Sequence, residues 1–122
     1  MHSVIVFAHG SRDPLWRAPV EAVADAIRQR APGVSVACAY LELCEPDLPT
    51  AAAAMVATGT EEVRVLPLFF GMGKHAREDL PALLDGLRQQ HPGVAFVRLP
   101  TAGEHPRLTA LLAELALEPL AS

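Results

Sequence analysis

The strongest constraint on this chain is a rhythm. Four short apolar runs alternate with stretches whose apolar residues recur at helical spacing. Val4-Ile5-Val6-Phe7-Ala8 is continuous, closes at Gly10, and predicts a strand buried on both faces. Trp16, Val20, Val23 and Ile27 then form one helical stripe. Pro19 fits only a first turn, which places the helix start near Trp16 to Ala18, and Pro32-Gly33 ends the unit. From Val34 to Tyr40, larger side chains (Val34, Val36, Cys38, Tyr40) alternate with Ser35, Ala37 and Ala39, as in a strand with small residues beneath a helix. Asp47-Leu48-Pro49 reads as a cap and first turn, Leu48, Ala52 and Met55 as the stripe, and Gly59 as the terminator. The third run, Val63 to Phe70, contains Pro67, which cannot donate to a ladder, so regular pairing is expected to stop near Leu66. Gly71 and Gly73 break the run. Asp79-Leu80-Pro81 is read as the next helix start, followed by Leu80, Leu84 and Leu87. After Pro92-Gly93, Val94 to Leu99 forms the fourth strand. A last helix starts near Pro106 and carries Leu108, Leu112 and Leu115.

The order βαβαβαβα implies an α/β fold, a four-stranded parallel sheet with helices on both faces. Asp-Leu-Pro recurs at 47–49 and 79–81, and Pro-Gly-Val at 32–34 and 92–94, which supports a repeated βα unit. For four strands the expected order is flavodoxin-like, 2-1-3-4, with ligands outside the carboxyl ends of the strands between the first and third. The 122 residues suit one domain, 1–122. Hydrophobic residues at 51% and charged residues at 20% exclude disorder. A net charge of −4 argues against a nucleic-acid surface, and 5% aromatics against a single-strand stacking platform. No apolar run nears the ~18 residues of a membrane span. The first run is too short for a signal core and has no basic residue before it. Two cysteines make no disulfide framework, so a reduced, cytoplasmic protein is expected.

The predicted carboxyl-end loops carry the candidate chemistry. His9, Ser11 and Arg12 follow the first strand; Glu42, Cys44 and Glu45 follow the second. Lys74, His75 and Arg77 follow the third, and His105 follows the fourth. His9 and His75 fall just past the two strands that flank the switch point. Two imidazoles in one crevice can hold a divalent metal or shuttle protons. The plainer alternative has His9 bonding a strand end and His75 capping a helix. Glu42 and Glu45 are candidate ligands or bases, or else ordinary surface carboxylates. Arg12, Lys74 and Arg77 form a local cationic patch fit for an anionic ligand, or else are solvated charges. His105 reads as a helix-start residue, His91 as solvated at the opposite edge, and Cys38 as core. No G-x-x-x-x-G-K-[ST] loop, G-x-G-x-x-G or G-x-S-x-G elbow is present, so no nucleotide cofactor is expected.

Three segments together carry a resemblance: Phe7-Ala8-His9-Gly10-Ser11-Arg12-Asp13-Pro14, Tyr40-Leu41-Glu42-Leu43-Cys44-Glu45-Pro46-Asp47-Leu48-Pro49, and Leu66-Pro67-Leu68-Phe69 with Gly73-Lys74-His75-Ala76-Arg77-Glu78-Asp79-Leu80-Pro81. Their order and spacing resemble the small CbiX-type sirohydrochlorin chelatases, the ATP-independent class. Gly103-Glu104-His105-Pro106 is similar to that family's last loop. The resemblance implies a chelatase-like fold and insertion of a divalent metal into sirohydrochlorin. Cobalt(II) would lead to cobalamin and iron(II) to siroheme; nickel(II) is used by related small members. It implies His9 and His75 as metal-site and catalytic residues, with Glu42 or Glu45 assisting. Ser11, Arg12, Lys74 and Arg77 would contact the carboxylate-rich tetrapyrrole. Cys44 departs from the pattern, where an apolar residue such as Met is expected. Longer relatives carry two such domains, so a homodimer facing two edges around the macrocycle is expected. Two other readings stand beside this one: a metal or tetrapyrrole carrier without turnover, and a metal-independent hydrolase using His9 and Ser11.

Overall fold

In the structure, a computed structural model describing residues 2–119, β1 (His2–Ala8) is the buried spine. β2 (Ser35–Tyr40) and β3 (Glu62–Pro67) pair with it on either side, and β4 (Ala95–Arg98) pairs with β3. All pairs are parallel, in the order β2-β1-β3-β4 expected from the alternation. The unbroken apolar run of β1 is explained by burial on both sides. Ile5 and Phe7 face one helical layer and Val6 and Ala8 the other, all four at most 1% exposed.

α1 (Ala18–Arg30) sets Val20 and Ala24 against Val6, Ala8 and Tyr40 on one face. Pro19 lies in its first turn, after a 3-10 turn over Pro14–Arg17. α2 (Leu48–Ala57) and α3 (Lys74–Gln90) cover the other face, where Leu48, Ala52, Met55, Leu80, Leu84 and Leu87 pack with Ile5, Phe7 and Val65. The alternation in β2 follows the same division. Ala37 and Ala39 belong to the α2/α3 side, while Val36, Cys38 and Tyr40 face α1.

Asp47 caps α2 as expected, its Oδ1 accepting from the Thr50 N–H at 2.9 Å. Hydrogen bonds from Thr50, side chain first and then backbone, hold the Asp47 carboxyl below its usual 3.8. A depressed carboxyl contributes stability above its unfolded value and loses it as pH falls through the folded one. Asp47→Ala is therefore expected to cost about 1 kcal/mol near neutral pH. In denaturant unfolding, the gap between variant and parent should narrow as pH drops below 3.8.

Two boundaries and one burial pattern differ from expectation. β3 runs to Pro67, in register with Phe7, because the next N–H, that of Leu68, donates to the Phe7 carbonyl at 2.7 Å. α3 begins at Lys74 rather than Asp79, and Pro81 lies inside it. Buried Ala76 draws the earlier turn onto the body. Pro81 removes only the N–H partner of the Arg77 carbonyl, on an exposed residue where water can replace it. The Asp-Leu-Pro echo thus opens a helix at 47–49 but not at 79–81. Finally, α4 (Pro106–Leu117) carries the expected leucines yet buries none of them. Among the described residues no helix is long and apolar enough to cross a membrane.

Candidate metal-handling site

The exits of β1 and β2 are joined backbone to backbone. The Leu41 N–H donates to the Ala8 carbonyl at 2.9 Å and the Glu42 N–H to the His9 carbonyl at 3.0 Å. This close approach requires Gly10. Its φ is +103°, and a Cβ there would lie 1.8 Å from the Glu42 carbonyl oxygen. The loop after β2 then folds back, with Leu43 at φ 68° and the Tyr40 N–H donating to the Pro46 carbonyl at 2.9 Å.

The result sets His9 beside Glu42, with Nε2 3.2 Å from Oε1. The other ring nitrogen, Nδ1, lies 3.2 Å from the Gly10 carbonyl. A neutral imidazole has one N–H, and if Nδ1–H donates to Gly10 the Nε2 lone pair is left facing Glu42. A shared cation, either a proton or a metal, is what these two groups can hold. Both are about half-exposed, 51% and 56% at the side chain, so incoming ligands can reach them.

His75 comes to the same place from α3. Gly73 is the N-cap, so His75 sits in the first helical turn rather than in a loop. His9, Glu42, Phe69, Lys74, His75 and Asp79 are among the residues lining one cleft of about 550 Å³. His9, His75, Glu42 and Lys74 are thus brought together at the switch point, where the topology led one to look. Asp79 is an addition. The Asp-Leu-Pro at 79–81 predicts a helix start, but with α3 starting at Lys74, His75 and Asp79 stand at i and i+4 on one helix face. The His-x-x-x-Asp spacing is the signal that could have found it.

Glu45 lines an adjoining hollow with Cys44 and Pro46, not this cleft. Arg12 and Arg77 are exposed and do not line it. The Ser11 hydroxyl accepts from the Asp13 N–H at 3.1 Å, a turn contact. His105 Nδ1 accepts from the Arg107 N–H at 3.1 Å and so caps α4, as read from the sequence. Burial raises the Cys38 thiol and pushes the Tyr40 phenol up to about 12, so both stay protonated and serve as packing. Among the described residues no three His, Cys, Asp or Glu side chains converge into a metal cage. The sequence reading also missed an apolar rim. Leu15, Trp16, Leu43 and Phe70 stand exposed on the loops of this edge, Phe70 by 73%. A larger hollow of about 760 Å³ between α2 and α3 adjoins the cleft at Leu41 and Asp79 but holds no imidazole.

Comparison with known proteins converges on one family. A family model described as CbiX matches residues 3–118. A CbiX protein of Marinobacter aquaeolei VT8, solved by crystallography, is 32% identical with a TM-score of 0.76, covering 95% of this chain and 94% of that one. The sirohydrochlorin cobaltochelatase of Methanopyrus kandleri is 32% identical over 84 residues, which are 69% of this chain but only 59% of that protein. The sirohydrochlorin cobaltochelatase of Sulfurisphaera tokodaii is 26% identical over 122 residues, 100% of this chain and 97% of that protein. The sirohydrochlorin chelatase SirB of Bacillus subtilis subspecies spizizenii, solved in complex with cobalt, shares the fold at a TM-score of 0.77 and 21% identity. There the match covers 94% of this chain and 50% of SirB.

Proposed function

From its membership of the CbiX family, to which this chain belongs, we propose that it inserts a divalent metal into sirohydrochlorin, with cobalt the first candidate and iron or nickel the alternatives. The observation that carries the reading is the meeting of His9 and His75 in one cleft, with Glu42 3.2 Å from His9. Metal insertion places one M²⁺ in the macrocycle and releases two pyrrole protons. His9 and His75 take the incoming metal, which is substrate here and not a resident cofactor. Two imidazoles without a closed cage bind it loosely enough to let it go. The Gly10 carbonyl orients His9 so that Nε2 faces the metal. Glu42, adjacent to that nitrogen, accepts one leaving proton, and an imidazole freed as the metal passes into the ring accepts the other. Asp79 adds negative charge that favours the cation. Glu45 is one loop turn away and serves only if the loop moves.

The apolar rim of Leu15, Trp16, Leu43 and Phe70 suits the face of a large macrocycle, while Lys74 in the cleft and Arg12, Ser11 and Arg77 around it suit its carboxylates. One 122-residue domain offers one such wall. SirB, which is about twice as long, supports the view that two copies of this chain pair as a homodimer around the tetrapyrrole. No nucleotide is needed, and the free thiols Cys38 and Cys44 suit the cytoplasm. Nothing favours the hydrolase reading. His9 meets Gly10 and Glu42, and the Ser11 hydroxyl is engaged by Asp13.

The test is anaerobic absorption spectroscopy of sirohydrochlorin with Co²⁺, Ni²⁺ or Fe²⁺, with and without protein. Many turnovers per protein above the uncatalysed rate are expected with at least one metal. Equal rates would overturn the proposal, and a single stoichiometric insertion would point to a carrier.

A further inference from the structure

The seat of His75 is set from outside α3. Met72-Gly73-Lys74-His75 puts Met72 just before Gly73, the N-cap, and the imidazole in the first turn after it. The residue before an N-cap is the one whose contacts set the entry angle of a helix. Residues 69–73 leave the sheet after the Leu68 N–H has donated to the Phe7 carbonyl. They join the helix where the Arg77 N–H donates to the Gly73 carbonyl at 3.0 Å. Phe69 stands edge-on to Phe7, Met72 packs against the α2/α3 core, and buried Ala76 holds the first turn down. A methionine has three rotatable bonds, so apolar packing alone leaves its thioether several settings.

What orients that thioether is polar and comes from the exit of β4. Arg98 is in register with Val65, which puts it on the α2/α3 side of the sheet. Thr101 is buried, 3% exposed, and its hydroxyl lies 3.1 Å from Met72 Sδ. Arg98 Nη2 lies 3.4 Å from the same hydroxyl oxygen and 3.5 Å from Sδ. A guanidinium only donates, so the Thr101 oxygen accepts from it and the one hydroxyl hydrogen is left for the sulfur. The same loop grips the segment a second time. The Gly103 N–H donates to the Phe69 carbonyl at 2.8 Å, and a Cβ at Gly103 would lie 1.7 Å from the Phe70 carbonyl oxygen.

We propose that Thr101 is a positioning residue for His75, acting through Met72. His9 and His75 can share one cation only when their ring nitrogens stand at a fixed separation. A misplacement of about 1 Å is enough to weaken such a site. Met72, oriented by Thr101 and Arg98, sets where the chain enters α3 and so where the exposed imidazole stands in the cleft. Neither Thr101 nor Met72 lines that cleft, so neither touches the metal there. The inference rests on the metal-handling reading above and deepens it.

The test is a Co²⁺ titration of the full chain without tetrapyrrole, followed by the visible absorption of cobalt. Thr101→Val exchanges the hydroxyl for a methyl group of the same shape, and water takes up the N–H of exposed Arg98. Half-saturation is expected to need about 5-fold more cobalt, the scale of coupling between residues in contact. Thr101→Ser keeps the donor and should stay at the parent value. Met72→Leu removes the acceptor and should match Thr101→Val; it carries the test if Thr101→Val does not fold. The double variant should lose no more than either single one, because both remove the same bond. With sirohydrochlorin, the loss should appear in the metal dependence, with KM for the tetrapyrrole unchanged. Parent half-saturation in the single variants would overturn the proposal. So would an equal loss in Thr101→Ser, or losses that multiply in the double variant, which is what independent packing defects give. A parent chain that binds cobalt but never turns over would overturn the chelatase reading alone, and the titration would still decide for Thr101. A parent chain that binds no cobalt would overturn both.

Discussion

His9→Ala and His75→Ala are each expected to lower metal insertion into sirohydrochlorin by about 100-fold or more, the scale of a lost base or metal-positioning group. The two imidazoles reach the cleft from different elements, His9 on the loop after β1 and His75 on the first turn of α3. Neither can replace the other from its own backbone position. The losses should fall on the rate at saturating tetrapyrrole, since the apolar rim and Lys74 that suit the macrocycle are untouched. Glu42→Gln keeps the size of the side chain and removes its charge beside Nε2, so a smaller loss is expected, about 10-fold. Initial rates of the absorption change at several metal concentrations check all three. Wild-type rates in both histidine variants would sink the mechanism. Asp79→Asn tests the residue that only the structure revealed, with a rise in the metal concentration needed for half-maximal rate as the expected result.

Gly10→Ala is expected to be strongly destabilising for so small a change. Two effects coincide there. The backbone holds φ at +103°, and the new Cβ would stand 1.8 Å from the Glu42 carbonyl oxygen. That atom is backbone, so relief requires the exits of β1 and β2 to part, breaking the His9 carbonyl bond to the Glu42 N–H. A loss of about 3 kcal/mol is expected, the upper range for enforced backbone strain. Glu42 should also move from His9, so activity should fall beyond what reduced stability explains. Gly59→Ala is the control. Gly59 has φ +90° but nothing within 4 Å of its Cβ position, so it carries the conformational cost alone. About 1–2 kcal/mol is expected there. Denaturant unfolding of the two variants separates the terms. Equal losses would mean that the close approach at Gly10 contributes nothing.

Local pattern was enough for most of the fold. The strands and their parallel order follow from short apolar runs separated by helical stripes, and the Asp47 cap and Gly59 stop are local turn chemistry. Local pattern failed where a long-range contact outweighed it. A proline in Asp79-Leu80-Pro81 reads as a first turn, yet burial of Ala76 starts α3 five positions earlier and the exposed Arg77 carbonyl tolerates the missing donor. That one shift moved His75 onto a helix and brought Asp79 to its face. Glu42 and Glu45 are equivalent on paper. The left-handed Leu43 and the fold-back at Pro46 separate them, turning Glu42 to His9 and Glu45 away.

By itself, then, the sequence determined the α/β class, the strand order and the pairing of His9 with His75 at one edge. Those depend on periodicity and on the few topologies a parallel sheet allows. Only the tertiary structure decided which carboxylates join them, that apolar side chains rim the cleft, and that α4 finds no seat on its own sheet. A leucine stripe announces that a helix will be buried. It does not say against what, because that depends on where Gly103 anchors the preceding turn and on which surface is left uncovered.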